Sequence, residues 1–365
     1  MGFWRQQLFG PTDPARDAAW DDKPKRKGFF TDTSICIGCK ACEVACKEWN
    51  RVPTRMPSPA NRHGLVKGMT AESYDNSGHL GADTWRHVAF IEQGPEQLER
   101  ARATGAATVS LGMPSVRSKD SSAGTTLTAD KGPLIGSGGV ATLAPTEEGL
   151  KANPDLPPVR WLMSSDVCKH CTHAGCLDVC PTGALFRTEF GTVVVQADVC
   201  NGCGYCVSAC PFGVIGRRSN GLVELGDGTQ GLPVNPGVAQ KCTLCYDRLK
   251  HGQTPACAQT CPTSSIKFGD HDEMVATARQ RLEDLHAQGH TEARLYGANP
   301  DDGVGGTGSV FLLMDEPEAY GLPPDPLVPT ARVGQMFTMA GFAGTALMTV
   351  CVTVFAGFAA LGRKR

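Results

Sequence analysis

Aromatic residues are scarce in this chain, at 7% of the sequence, and net charge is almost absent at −2. Few aromatics leave little material for a conventional large core. A nearly neutral chain carries no basic stripe with which to hold nucleic acid. The first thirty residues include Trp4, Trp20 and the basic Lys25-Arg26-Lys27 but contain no apolar h-region, so no cleavable signal peptide is expected. Glycine and proline, by contrast, number 43 and 25, a composition that suits a fold made largely of loops. At 365 residues the chain has room for one large domain or two modest ones.

What the chain has in abundance is cysteine, 17 residues in all, and every one except Cys351 falls into a run of four. The first run is Cys36-x2-Cys39-x2-Cys42-x3-Cys46, and the third is Cys200-x2-Cys203-x2-Cys206-x3-Cys210-Pro211. The second stretches one gap, as Cys168-x2-Cys171-x4-Cys176-x3-Cys180-Pro181. The fourth opens a wider loop, as Cys242-x2-Cys245-x11-Cys257-x3-Cys261-Pro262. A [4Fe–4S] cluster takes four thiolates, and in two-cluster runs the fourth cysteine ligates the other cluster. Four complete runs therefore predict four [4Fe–4S] clusters and an electron carrier. Disulfides suit small secreted domains, not a long chain with cysteines packed this closely. Zinc ribbons use two Cys-x2-Cys pairs, but zinc requires neither four quartets nor the Cys-Pro ending of three of them. Cys351, in an apolar run far from any partner, reads as an inert buried thiol.

The second and third runs are separated only by Thr182 to Val199, an interval holding a strand candidate at Gly191 to Val195. That spacing predicts one ferredoxin-like module. In it Cys168, Cys171 and Cys176 share a cluster with Cys210, while Cys200, Cys203 and Cys206 take Cys180. The same crossover pairs the outer runs: Cys36, Cys39 and Cys42 with Cys261, and Cys242, Cys245 and Cys257 with Cys46. The expected fold is α+β and loop-rich, with two nested ferredoxin-like dicluster modules. Gly38, Gly202 and Gly204 allow tight loops that turn N–H groups toward sulfur. Lys40, Lys169, Lys241 and Arg248 stand beside cysteines, where they either stabilise anionic clusters or are simply solvated. His170 and His173 are surplus as ligands and are expected to pack or to support the loops.

Outside the runs, residues 1–27 read as an N-terminal extension and 28–270 as the four-cluster domain. Thr84 to Ile91 is a plausible strand, and 102–158, rich in Gly, Ser, Thr, Ala and Pro, reads as an extended insertion. Residues 271–335 form a connector. Within it 272–289 is an amphipathic helix, with Met274, Ala278, Leu282 and Leu285 on one face. Residues 336–362 contain no charge and are followed by Arg363-Lys364-Arg365, which predicts one transmembrane helix with a basic cytoplasmic tail. Gly341, Gly344 and Gly357 suit close packing against other membrane helices. The charge bias puts the clusters on the outer face. A folded domain without its own signal would then have to cross bound to a partner carrying a twin-arginine signal; otherwise the domain faces the cytoplasm.

The chain resembles the iron–sulfur β subunits of membrane-bound respiratory formate dehydrogenases. The resemblance rests on Ile35-Cys-Ile-Gly-Cys-Lys-Ala-Cys42, Cys203-Gly-Tyr-Cys206, Cys210-Pro-Phe-Gly213 and Lys241-Cys-Thr-Leu-Cys-Tyr-Asp-Arg248. It extends to Pro255-Ala-Cys257, Cys261-Pro-Thr263, Gly303-Val-Gly-Gly306 and Tyr320-Gly-Leu-Pro-Pro-Asp-Pro326. It implies a catalytic α subunit holding molybdenum or tungsten on a bis-pterin cofactor, and an integral membrane γ subunit (cytochrome b or polysulfide-reductase-like) that reduces quinone. This chain, itself without a catalytic residue, would carry electrons between them, its terminal helix in lipid beside the γ subunit. The resemblance further implies that the cluster of Cys36, Cys39, Cys42 and Cys261 lies nearest the catalytic subunit, and that of Cys168, Cys171, Cys176 and Cys210 at the membrane end. Related β subunits serve other molybdopterin oxidoreductases (thiosulfate, polysulfide, nitrate, sulfoxide) and membrane-bound hydrogenases. Iron and acid-labile sulfide analysis of the purified protein is expected to find both; iron without sulfide would instead indicate a structural metal-binding scaffold.

Overall fold

A computed structural model describes residues 20–21, 24–52, 77–106, 159–224, 230–232, 234–328, 330 and 333–362. Most of the N-terminal extension, most of the Gly/Ser-rich insertion and the basic tail lie outside the described residues. The chain folds as a mixture of short helices and strands with one long apolar C-terminal helix.

The largest sheet among the described residues has four strands. β1 (Lys27–Asp32) lies at its centre, antiparallel to β10 (Ile266–Asp270) on one side and parallel to β12 (Ser309–Leu313) on the other. β11 (Arg294–Tyr296) completes the order on the outer side of β12. The strand before the first cysteine run is thus stitched to the strand after the fourth, Phe29 opposite Phe268 and Thr31 opposite Ile266. Side chains alternate between the two faces of a strand, and here the alternation divides two cores. Phe30, Val310 and Leu312 face a helix, α7 (His271–Ala287), and meet its Ala278, Leu285, Met274 and Leu282. Phe29, Phe311 and Leu313 point the other way and pack with Cys42, Cys46, Cys242 and Cys257. One face of the sheet rests on hydrocarbon alone and the other on hydrocarbon mixed with cysteine sulfur.

Two antiparallel ribbons complete the frame. β2 (Arg86–Gln93) pairs with β3 (Arg160–Val167), with Val88 opposite Ser165. α2 (Pro95–Ala106) follows β2 and runs into the stretch read from sequence as extended insertion. β4 (Leu185–Arg187) and β5 (Val193–Val195) form the hairpin between the second and third runs. Smaller pairs join β6 (Gly216–Arg217) to β9 (Ala239–Gln240), and β7 (Val223–Glu224) to β8 (Gln230–Gly231). The first run leads into α1 (Ala41–Asn50), whose buried Glu43 accepts the Val88 N–H and is bonded by Ser77 Oγ at 2.9 Å.

The terminal helix, α8 (Val333–Gly362), is continuous, and Met336–Phe358 is apolar and long enough to cross a membrane. Its 23 residues reach about 35 Å at 1.5 Å per residue, a match for a hydrocarbon core of about 30 Å. Thr345, Thr349 and Thr353 donate their hydroxyls to carbonyls one turn back, which removes the cost of those polar groups in an apolar setting. Cys351 lies exposed on this helix, not buried as the sequence suggested, because none of the other described residues covers it. A Leu285→Ala substitution should leave the iron content unchanged and destabilise the domain by about 2–5 kcal/mol. Loss of the visible absorbance in a denaturant titration would report it at lower denaturant than in the unaltered protein.

Candidate metal centres

All four cysteine runs use one loop geometry. The residue before the second cysteine has a left-handed backbone in every run: φ is +63° at Gly38, +46° at His170, +72° at Gly202 and +60° at Leu244. Such a residue turns successive N–H groups inward toward an anionic centre. The Leu244 N–H lies 3.3 Å from Cys242 Sγ, and the Ala239 N–H lies 3.5 Å from Cys200 Sγ. At Gly38 and Gly202 a side chain would also collide: an added Cβ would stand 2.6 Å from the Phe90 ring or 2.5 Å from the Gly237 carbonyl. His170 and Leu244 adopt the same turn without the glycine freedom, which a glycine-based reading of the sequence misses.

The third cysteine of each run enters a helix. Cys42 lies in α1, Cys176 in α3 (Gly175–Asp178), Cys206 in α4 (Tyr205–Ser208) and Cys257 in α6 (Ala256–Gln259). In the fourth run α5 (Tyr246–Lys250) separates the first pair from the second. The three Cys-Pro endings share a turn: Gly183, Gly213 and Ser264, each three residues past its cysteine, have positive φ and donate an N–H back to the Cys180, Cys210 and Cys261 carbonyls.

Burial pushes the thiols up, and the sulfurs around each push it further. Cys46, raised well above the ordinary range, feels Cys242, Cys257 and Cys245. Cys36, raised to about 11, feels Cys42, Cys261 and Cys39. Cys171, also raised well above, feels Cys168, Cys176 and Cys210, and Cys176 is raised to about 12. Cys206, raised to about 11, feels Cys200, Cys203 and Cys180. Neighbouring groups adjoin: Cys42 feels Cys257, and Cys242 feels Cys168. Among the described residues no set of three or more donors is gathered tightly enough to hold a single metal ion. Sulfur-only quartets with N–H-lined loops fit a cluster in which each thiolate binds its own iron.

Exposure is uneven. Cys39 and Cys203 are exposed, whereas Cys168, Cys242, Cys245 and Cys257 are buried. Cys168 lies inside, beside Cys242, and the Cys200 group carries the exposed Cys203. The segment before α8 meets the second run: Thr330 bonds Asp178 of α3 at 2.6 Å and Val328 packs on Gly175.

The polar residues singled out in the sequence take separate roles. Lys241 is buried, donates to the Val193 carbonyl and to the Cys242 carbonyl at 3.1 Å, and its charge is favoured by Cys168, Cys176 and Cys242. Lys169, wholly buried, pairs with Asp166 and lies 4.6 Å from the Phe311 ring centre. Lys40 pairs with Glu43 at 3.4 Å, and the Arg248 guanidinium stacks on Trp49 at 4.2 Å. The His170 ring accepts the Val193 N–H on Nδ1, and burial holds the imidazole neutral. His173, half-buried, is likewise pulled down by burial. Sequence reasoning missed two buried groups beside the sulfurs, Arg86 and Ser165. The only signal was a charged residue at the head of an otherwise apolar strand.

These loops and their sulfur quartets define an iron–sulfur electron carrier of ferredoxin type, and a 4Fe-4S dicluster domain model matches residues 159–224 and 233–271. The chain is 33% identical to the nitrate-inducible formate dehydrogenase iron-sulfur subunit of Escherichia coli over 82% of its own length and 73% of that protein. It is also 33% identical to the formate dehydrogenase iron-sulfur subunit of Haemophilus influenzae, over 81% of its length and 68% of the relative. The thiosulfate reductase electron transfer subunit PhsB of Salmonella typhi is 47% identical over 29% of the chain and 48% of its own length. The chain belongs to the family of formate dehydrogenase iron–sulfur subunits.

Metal insertion must displace protons from thiols held above their ordinary range, so acid opposes it. Reconstitution of the iron-free protein with iron and sulfide should release protons and reach a lower visible absorbance at pH 6 than at pH 8.5. Equal yields at both values would contradict the thiolate assignment.

Proposed function

We propose that the chain holds four [4Fe–4S] clusters and carries electrons from the molybdopterin catalytic subunit of a formate dehydrogenase to a quinone-reducing membrane subunit. The observation that carries this reading is the single loop geometry repeated at Gly38, His170, Gly202 and Leu244. The first cluster is assigned to Cys36, Cys39, Cys42 and Cys261, and the second to Cys242, Cys245, Cys257 and Cys46. The third is assigned to Cys168, Cys171, Cys176 and Cys210, and the fourth to Cys200, Cys203, Cys206 and Cys180. Two dicluster modules are then nested, the 2+3 module inside the 1+4 module, within a domain spanning 28–270. The pairing of β1 with β10 supports the nesting, since it ties the start of the first run to the end of the fourth.

Each cluster, when bound, accepts and passes on one electron at a time. This chain's residues supply order and access. The adjoining sulfurs Cys42 with Cys257 and Cys242 with Cys168 support the order first, second, third, fourth. Exposed Cys39 lies near Ile37 and Val44, both more than half exposed, a face suited to the catalytic subunit. At the other end exposed Cys203 and Tyr205 belong to the module on which Thr330 and Val328 dock. That end faces the membrane subunit, with 336–362 as the anchoring helix after the 271–335 connector. The outer, periplasm-side face is the assigned location, on the charge bias around the span.

Formate added anaerobically to the purified membrane complex should produce reduced [4Fe–4S] signals in electron paramagnetic resonance. Reduction by dithionite but not by formate would leave the electron carrier standing and assign it to another oxidoreductase. Cys203→Ser, at an exposed position that disturbs packing least, should lower quinone reduction by an order of magnitude or more while formate oxidation with a soluble dye continues. Equal loss of both activities in a complex with full subunit content would contradict the order.

A further inference from the structure

Arg86 is 1% exposed, and among the described residues no carboxylate pairs with it. Its Nη1 donates to Ser165 Oγ at 2.9 Å and to the Ser165 carbonyl at 3.2 Å. Its Nε and Nη2 are buried without a partner. The guanidinium lies 5.0 Å over the Phe29 ring, which fixes its plane from one side. The charges around it are four sulfurs: Cys257, Cys42, Cys242 and Cys46. These are drawn from the two groups assigned above to the first and second clusters. Ser165 Oγ in turn lies 3.1 Å from Cys42 Sγ. Since the hydroxyl accepts from Arg86, its own proton is free to point at the sulfur. The result is a relay from guanidinium to hydroxyl to Cys42, with two further N–H donors directed at no protein atom.

A buried cation with unused donors is costly unless an anion meets it. Among the described residues the strongest anionic partners of Arg86 are sulfurs. We infer that Arg86 and Ser165 set the reduction potentials of the first two clusters, Arg86 by its charge and free N–H groups toward both, Ser165 by a hydrogen bond to Cys42 in the first alone. This rests on the ligand assignment proposed above. Reduction adds negative charge to a cluster, and a fixed positive charge beside it favours the reduced state, so the pair raises both potentials. Lys241 does not duplicate this role on the first cluster, because the sulfurs its charge faces are Cys168, Cys176 and Cys242, of the third and second groups.

The test is a redox titration of the purified membrane complex, followed by electron paramagnetic resonance, for Ser165→Ala, Arg86→Lys and Arg86→Gln. Iron and sulfide are measured on each sample. Ser165→Ala should lower the potential of the first cluster and leave the other three unchanged. Arg86→Gln should lower the first and second by at least tenfold in the ratio of reduced to oxidised protein, ~59 mV for a one-electron couple. Arg86→Lys, which keeps the charge but loses the fork, should fall between. Full iron with all four potentials unmoved, or moved equally, would overturn the inference. If Arg86→Gln fails to assemble, Ser165→Ala and Arg86→Lys decide it by the same criteria. The ligand assignment fails separately, by fewer than four couples in the unaltered complex.

Discussion

Sulfur occupies the place where a hydrocarbon core would normally stand, and most of this architecture follows from that. Phe29, Phe311 and Leu313 present one face of the central sheet to a core in which Cys42, Cys46, Cys168, Cys242 and Cys257 stand among apolar side chains such as Val88, Val167 and Leu244. Protonated thiols pack there as small hydrophobes, but as thiolates they repel each other, which is why burial and mutual charge raise nearly every one that is enclosed. Only metal binding makes the charged state favourable. Left-handed backbone at His170 and Leu244 costs on the order of 1–3 kcal/mol each. Structural metal sites have binding free energies of about 10–16 kcal/mol, large enough to offset such strain. Loop shape and metal loading are thus one equilibrium. The helix α7 and the sheet face it covers, with Phe30, Val310 and Leu312, form the part whose stability depends least on it.

Positive charge inside the domain follows from the same constraint. Carrying an unpaired cation into a dry interior costs several kcal/mol. Lys169 avoids the cost with Asp166 and the Phe311 ring, and Lys241 with two backbone carbonyls. Arg86 has only Ser165, and its remaining donors face sulfur. Arg86 and Lys241 face sulfurs of the first, second and third groups and would offset part of the charge that clusters bring there, without a carboxylate for each. Arg248, also buried, uses the same device: it stacks on Trp49 and bonds the Thr254 carbonyl at 2.6 Å beside the fourth run.

Much of this was legible in the sequence because local spacing encoded it. The cysteine runs announced their loops, Met274, Ala278, Leu282 and Leu285 announced α7, and the charge-free stretch after Met336 announced α8. What stayed hidden depends on distant partners or on residues that break a local rule. Nothing near Lys27–Asp32 tells that it pairs with strands more than two hundred residues away. Leu244 and His170 occupy left-handed positions that propensity assigns to glycine, because the loop overrides the residue. Arg86 heads an apolar strand and reads as a surface residue until β3 brings Ser165 opposite Val88 and the sulfurs surround it.

The distribution of exposure has a consequence for direction. Cys39 in the first run and Cys203 in the third are exposed, the other run cysteines are buried or half-buried, and the fourth run holds three of the buried ones. On the proposed order, electrons would enter and leave near those two exposed cysteines. Nothing in such an arrangement prefers one direction of travel. A row of one-electron centres conducts toward whichever partner has the higher potential. This explains how formate dehydrogenase subunits and a thiosulfate reductase subunit can share these loops while their partners differ. Any bias must come from local potentials, and therefore from charges fixed beside particular sulfur groups. In this chain, among the described residues, the enclosed charge that faces sulfur with donors left over is Arg86.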